Sequence, residues 1–337
     1  MGNSLLRNKW FWFGVAFCLL AALIQPILAV PFQPGNLFVA YGGSNIGVFK
    51  MDGTLVQTLS VSPSSFGTGT TLSGGGGVAL DEFGNFYVTV SNFGGTADRR
   101  GIIKFNAAGV KVLEINSGIT TDFRGLAVRN GVMYVARASG IQRFNAETGV
   151  SISPILSSGI SFRDVTFDRQ GNLYGLYISG GNVLVRKWTG VEPPITDILL
   201  GSEATHPDPR ALVLDMDGNL YITVNTSPQR RVRKFSPDGT LLADYLAPRA
   251  ISGAGNILIG LDYDPGTQRL FASHTGTGIG QILWIDKNAS SGATMSAFGP
   301  ANLSGVRWLA VYPTPEPTTA ILLAAGLLLL RRRFRKR

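Results

Sequence analysis

Arginine stands at the same position in four copies of a repeated sequence unit, just before an apolar stretch. These residues are Arg124, Arg163, Arg210 and Arg307. A guanidinium group binds carboxylates and phosphates through paired hydrogen bonds, so four that converge on one point would form an anion-binding site. In the alternative interpretation, each arginine donates hydrogen bonds to backbone carbonyl groups of the neighbouring unit and has a structural role only.

The histidines are the residues that could support acid–base chemistry. A histidine beside a carboxylate can act as a general base, and His206 lies shortly before Arg210 in the sequence. His206 is therefore the one candidate for a catalytic residue, and His274 is the only other histidine. The single cysteine, Cys18, lies near the N-terminus in an apolar run, which excludes disulfides, thiolate metal sites and cysteine nucleophiles elsewhere.

Carboxylates give no consistent metal site. The candidate ligands are Asp164, Asp208 and Asp262. Similarly spaced carboxylates fall instead in predicted turns, at Asp81, Asp168 and Asp215. We therefore predict no metal and no cofactor.

The net charge of +9 is concentrated at the two ends of the chain. Six positive charges follow Leu330 and two precede Trp10; with these and Glu316 set aside, residues 31–313 carry a net charge of +2. A nucleic-acid interface needs clustered Lys and Arg, so we predict no nucleic-acid partner.

One unit recurs through residues 31–313 and must position these side chains. It contains a tight turn ending in glycine, one polar or small residue, and an apolar strand with an aromatic residue. The aromatic residues are Phe38, Tyr87, Tyr134, Tyr174, Tyr221 and Phe271. Their spacings of 49, 47, 40, 47 and 50 residues are typical of a four-stranded blade.

The first copy lacks the apolar strand that precedes the turn in the other copies, while residues 308–312 form an unpaired strand at the end of the body. We predict that this last strand completes the first blade, which covers sheet edges that would otherwise be open. The predicted fold is all-β, a six-bladed β-propeller. Its Asp-x-x-Gly-Asn turns, at residues 81–85, 168–172 and 215–219, resemble the NHL-repeat type of β-propeller.

Propellers bind ligands at the mouth of the central channel, where the inner strands begin and where the four arginines would lie. Virginiamycin B lyase-like propellers, and gluconolactonase-like propellers with a divalent metal in the channel, resemble this chain at the level of the fold. A secreted lyase or hydrolase with His206 as base at the mouth is therefore the alternative to a binding function.

The N-terminus has the features of a secretory signal peptide. Arg7 and Lys9 precede an apolar run at residues 10–24, and Ala29 is a small residue at the expected cleavage position. We place the signal peptide at residues 1–29, cut by signal peptidase after Ala29. An uncleaved N-terminal anchor is the alternative.

Residues 314–337 combine three elements. They are the tripeptide Pro315-Glu316-Pro317, an apolar run at residues 318–330, and a cationic end that begins with Arg331, Arg332 and Arg333. The run of 13 residues is shorter than the ~20 that a helix needs to cross a bilayer core. The order of elements resembles the PEP-CTERM sorting signal of Gram-negative bacteria. The resemblance implies transient association with the inner membrane, cleavage by an exosortase near the tripeptide, and release to the cell surface or extracellular matrix. An ordinary tail anchor is the alternative.

Taken together, these features predict an exported, non-enzymatic binding or scaffold module. The resemblance to PEP-CTERM proteins implies an envelope, exopolysaccharide or biofilm context, with a surface polysaccharide or a protein as the ligand.

Overall fold

The computed structural model describes residues 30–62, 70–72, 76–92, 99–119, 123–226, 229–249, 256–276, 280–299, 303 and 305–314. The predicted signal peptide at residues 1–29 and the sorting elements from Pro315 onward lie outside these residues. The described part of the chain contains no helix with both the length and the apolar character needed to span a membrane.

Six antiparallel sheets account for the 25 strands of the described residues. The first sheet contains β1 (Leu37–Tyr41), β2 (Asn45–Phe49), β3 (Leu55–Ser60) and the last strand, β25 (Leu309–Val311). The second contains β4 (Thr70–Leu72), β5 (Val78–Leu80), β6 (Phe86–Asn92), β7 (Arg99–Phe105) and β8 (Lys111–Ile119). The third contains β9 (Phe123–Arg129), β10 (Val132–Arg137), β11 (Gly140–Asn145) and β12 (Ser151–Leu156).

Each of the remaining three sheets, like the third, contains four strands that are consecutive in the sequence. The fourth contains β13 (Phe162–Phe167), β14 (Leu173–Ser179), β15 (Asn182–Thr189) and β16 (Glu192–Ser202). The fifth contains β17 (Leu212–Leu214), β18 (Leu220–Val224), β19 (Arg231–Phe235) and β20 (Leu241–Leu246). The sixth contains β21 (Ile257–Asp264), β22 (Arg269–Thr275), β23 (Gln281–Asp286) and β24 (Ser296–Phe298).

The inner strands of the six sheets form a closed ring. In ring order they are β5, β9, β13, β17, β21 and β25. Each contacts the next, and β25 contacts β5. The molecule is a six-bladed β-propeller, as the sequence predicted. Closure by the last strand is also confirmed, because Val311 and Ala310 pair with Leu37 and Phe38 of β1.

The sequence did not predict β4. The short strand β5 pairs with Phe86–Val88 and so covers only the first part of β6, whereas β4 pairs with Val90–Asn92 and covers the rest. The physical reason is that an uncovered length of β6 would leave a row of unpaired backbone groups at a sheet edge.

In three blades, the aspartate of the repeated turn is hydrogen-bonded to the turn backbone and to the tyrosine of the strand that follows. In the fifth blade, Asp215 Oδ1 accepts hydrogen bonds from the backbone nitrogens of Asp217 and Asn219, and Oδ2 accepts one from the Tyr221 hydroxyl at 2.8 Å. Asp81 and Asp168 make equivalent bonds to Tyr87 and Tyr174. These aspartates are therefore turn residues, as predicted.

Lysines that contact two of these tyrosine rings also form hydrogen bonds with the neighbouring blade. Lys234 lies over the ring of Tyr221, 5.6 Å from its centroid, and donates a hydrogen bond to the carbonyl oxygen of Lys287 in the next blade. Lys104 lies over Tyr87 and reaches Ala146 of the next blade in the same way. The aromatic residue of the repeat thus bonds the turn of its own blade and contacts the lysine that reaches the next blade.

Candidate functional site

The central channel encloses a cavity of about 330 Å³. Its walls come from all six inner strands and are mostly small or apolar side chains, such as Ala79, Ala127 and Val213. Two carboxyl groups, those of Asp164 in β13 and Asp262 in β21, also line it.

Both carboxyl groups connect adjacent inner strands. Asp164 Oδ2 accepts a hydrogen bond from the backbone nitrogen of Leu212 in β17 at 2.8 Å. Asp262 Oδ2 accepts one from the backbone nitrogen of Val311 in β25 at 2.7 Å. An inner strand is the edge of its sheet, so these nitrogens have no strand partner on that side, and the aspartates supply one.

Burial makes the two carboxyl groups weaker acids than an exposed aspartate. Loss of hydration raises the pKa of Asp164 to about 7 and that of Asp262 to about 7, although each carboxylate accepts two backbone hydrogen bonds that act in the opposite direction. The charge of Asp262 raises the pKa of Asp164 further. Near neutral pH, the channel therefore holds two groups that can take up or release a proton.

The three carboxylates proposed as metal candidates are not brought together. Asp208 does not line the cavity and forms an ion pair with Arg210 instead, with 2.9 Å between its Oδ2 and Nε. Among the described residues, no group of three or more His, Cys, Asp or Glu side chains is arranged to hold a metal ion. The channel carboxyls were thus named from the sequence, but their role as links between blades was missed.

A signal for this role was present at the facing position. Gly125 lies opposite Asp164, where a Cβ would come within 1.8 Å of Asp164 Oδ1. A glycine in one inner strand beside an aspartate in the next is the pattern that could have indicated the link.

Arg124 takes the structural role that the sequence analysis left open. Its Nη1 donates to Ser161 Oγ at 2.9 Å and to the carbonyl oxygen of Phe162 at 3.2 Å, both at the start of the next blade's inner strand. This guanidinium group links two blades, and the hydrogen bonds of the link occupy some of its donors.

The other three arginines keep more of their hydrogen-bonding capacity. Arg210 pairs with Asp208, and its side chain is 36% exposed. The guanidinium groups of the half-buried Arg163 and Arg307 make no hydrogen bond or ion pair with the described part of the chain. Arg163 is the second residue of β13, and Arg307 precedes β25 by two residues, so both lie where inner strands begin.

His206 is buried in the connection between β16 and β17, outside the lining of the channel cavity. It is 5% exposed, its Nδ1 lies 2.6 Å from Thr205 Oγ1, and its ring packs against Phe235 with 5.4 Å between centroids. Burial lowers its pKa. Like the four arginines, His206 does not line the channel cavity. Its burial and its ring contact with Phe235 give no support to a role as base at the mouth, and His274 is buried in β22.

Solved structures of other proteins share this architecture. A protein of unknown function from Bacteroides caccae is 14% identical over 82% of this chain and 98% of its own, with a TM-score of 0.52. A chain of the nidogen/laminin complex is 15% identical over 81% of this chain and 97% of its own, with a TM-score of 0.55. A quinoprotein alcohol dehydrogenase-like protein from Bacteroides thetaiotaomicron is 12% identical over 83% of this chain and 78% of its own, with a TM-score of 0.50.

The shared feature is the fold. At these identities, the likeness carries no activity from those proteins to this one. Neither a protein-family profile nor a curated protein sequence matches this chain.

Proposed function

We propose that this protein is an exported binding module that holds an anionic ligand at the mouth of its propeller. The observation that carries the proposal is the pair of guanidinium groups on Arg163 and Arg307, which have no protein partner in the described part of the chain and lie at the starts of two inner strands. A half-buried guanidinium with unused donors gains charge-assisted hydrogen bonds when a carboxylate or phosphate binds.

The ligand class follows from charge and shape. The body carries a net charge of only +2, so attraction of an anion would be local to the mouth rather than a property of the whole surface. A rigid ring whose loops vary is suited to presenting such groups without a large motion. A surface polysaccharide with uronate or phosphate groups, or an acidic protein segment, fits this description.

The localisation of the protein is part of the same proposal. The signal peptide at residues 1–29 would direct export, and the PEP-CTERM-like end would direct sorting by an exosortase to the surface or matrix. The NHL type of the propeller, indicated by its Asp-x-x-Gly-Asn turns, is also proposed on resemblance. Intact-mass measurement of the protein from its host's envelope and medium tests both ends; retention of Arg331, Arg332 and Arg333 in the mature protein would overturn the sorting model.

Binding can be tested with a double substitution, Arg163→Gln with Arg307→Gln. The probe is polygalacturonate, with neutral dextran as the polymer control. Each charge-assisted hydrogen bond contributes ~1.5–3 kcal/mol, so we expect the double variant to bind polygalacturonate at least about tenfold more weakly.

The matched control is Arg169→Gln with Lys50→Gln, which also removes two positive charges, from exposed turns between β13 and β14 and between β2 and β3 at the opposite end of the blades. Equal loss in the control and the double variant would mean that only net charge matters. Unchanged binding in the double variant, or equal binding of dextran, would refute the proposed mouth site.

A lyase or hydrolase in the channel is the second candidate, favoured by one observation. Asp164 and Asp262 line the cavity with pKa values of about 7, which suits proton transfer near neutral pH. These carboxyls, rather than His206, would then be the acid–base groups. Incubation with polygalacturonate, followed by assays for new reducing ends and for unsaturated products, decides the matter: no product at any pH between 5 and 9 would rule this reaction out.

A further inference from the structure

The segments that lead to the two ends of the described chain meet at one end of the ring. The backbone nitrogen of Gly35 donates to the carbonyl oxygen of Tyr312 at 2.7 Å, and the nitrogen of Tyr312 donates to the carbonyl oxygen of Asn36 at 2.8 Å. This place lies on the end of the ring where the first and second strands of each blade are joined. We call this end the base; it is opposite the mouth where the arginines lie.

The chain outside the base is short on both sides before it becomes apolar. Only residues 315–317 separate Thr314 from the apolar run at 318–330, and only residues 25–29 separate Val30 from the run at 10–24. An extended chain spans at most ~3.6 Å per residue, so these linkers allow at most about 14 Å and about 22 Å. Wherever either run enters a bilayer, the base must lie close to the membrane surface.

Exposed apolar side chains surround these exit points. They are Val30, Leu55, Phe83 and Val110, with exposed fractions of 45%, 48%, 72% and 49%. Gln57 Nε2, two residues after Leu55, donates to the carbonyl oxygen of Val30 at 2.7 Å, which places them on one patch. Phe83 adjoins the C-terminal exit, because a Cβ on Gly84 would lie 2.8 Å from the Tyr312 hydroxyl oxygen.

The aromatic residue is specific to this side of the base. Phe83 occupies the third position of the Asp-x-x-Gly-Asn turn, where the fourth blade has Gln170 and the fifth blade has Asp217. The turn itself needs only its Asp, Gly and Asn, so nothing in the fold requires an exposed phenylalanine here. An aromatic ring beside the chain's exit suits the interfacial region of a bilayer, where apolar and polar groups meet.

We propose that the base of the propeller rests on the lipid bilayer while either apolar run is inserted, with Phe83 and Val110 in contact with the headgroup region. The inference relies on the membrane insertion that is part of the proposed export. It goes beyond that proposal by fixing an orientation: the arginine-bearing mouth points away from the membrane that holds the apolar run.

The test uses the full chain in vesicles of phosphatidylethanolamine and phosphatidylglycerol that contain a lipid with a nitroxide on its headgroup. A fluorophore is attached to one cysteine in a Cys18→Ser background. The base site is Glu82→Cys, next to Phe83; the mouth-end site is Ala138→Cys, in the exposed turn between β10 and β11. We expect several-fold stronger quenching at the base site.

A paired substitution then tests the contact itself. Phe83→Ser with Val110→Ser should lower quenching at the base site. The matched control, Ile195→Ser with Leu199→Ser, removes two exposed apolar side chains from the outer strand β16 and should leave quenching unchanged. Circular dichroism of each variant confirms that the fold is retained.

The outcomes separate the occupants of the base. Equal quenching at the two labelled sites, or quenching that Phe83→Ser with Val110→Ser leaves unchanged, refutes the proposed contact. Mutual quenching between labelled copies without quenching by the lipid indicates a second copy at the base and also refutes it. Flotation of the vesicles without the protein overturns its premise of insertion, whereas the binding of polygalacturonate at the mouth is measured independently and stands or falls alone.

Discussion

The two channel carboxyls should make the folded protein less stable as the pH rises toward 8. The pKa of Asp164 is 3.8 in its ordinary state and about 7 in the folded protein. The folded state therefore holds this proton more tightly than the unfolded state does. The resulting stabilisation is complete below pH 3.8 and is lost as the pH rises through about 7.

The size of the effect follows from this shift. About three pKa units correspond to on the order of 4 kcal/mol over the full range. Between pH 5 and pH 8, the part that Asp164 loses is on the order of 3 kcal/mol, a large fraction of the ~5–15 kcal/mol by which domains are stable. Asp262 adds to the same trend. His206 has a lowered pKa, so its contribution to the stability of the folded state is lost as the pH falls, which opposes the effect of the carboxyls.

Asp164→Asn isolates this contribution. The amide keeps an oxygen that can accept the hydrogen bond from the Leu212 nitrogen, but it cannot ionise. We expect the variant's free energy of unfolding, relative to the native chain, to rise by on the order of 3 kcal/mol between pH 5 and pH 8. Urea unfolding followed by tryptophan fluorescence at pH 5, 6, 7 and 8 measures this difference.

The control is Glu203→Gln, an exposed carboxylate outside the channel. It should give the same pH dependence as the native chain. If native stability is flat or increases from pH 5 to 8, or if Asp164→Asn leaves its slope unchanged, the carboxyl is not held protonated by burial and our account of the channel is wrong.

Two further predictions concern the links between blades. Gly125→Ala should be strongly destabilising, by ~1–3 kcal/mol or more, because its Cβ would overlap Asp164 Oδ1; thermal unfolding checks this, and an unchanged midpoint would contradict the close approach of β9 and β13. Tyr221→Phe should cost ~1–3 kcal/mol, since it removes the donor at 2.8 Å from the buried Asp215 carboxylate; urea unfolding measures the loss, and a variant as stable as the native chain would show that this hydrogen bond contributes nothing.

The sequence by itself determined the architecture. A turn ending in glycine, an aromatic residue near every 47th position, and a final strand with no partner were sufficient to predict six blades and completion of the first blade by the chain's last strand. These features are local: glycine permits the turn, alternation defines each strand, and the repeat fixes how many blades must share one ring.

Only the tertiary structure decided what the polar side chains do. Position in the repeat gave the four arginines the same expected role, yet Arg124 bonds the next blade, Arg210 pairs with Asp208, and Arg163 has no partner among the described residues. The same holds for Asp164 and Asp262, whose hydrogen bonds from Leu212 and Val311 come from residues 48 and 49 positions further along the chain. The burial that raises a pKa and the choice of partner depend on groups brought together by ring closure, and a local sequence pattern does not contain that information.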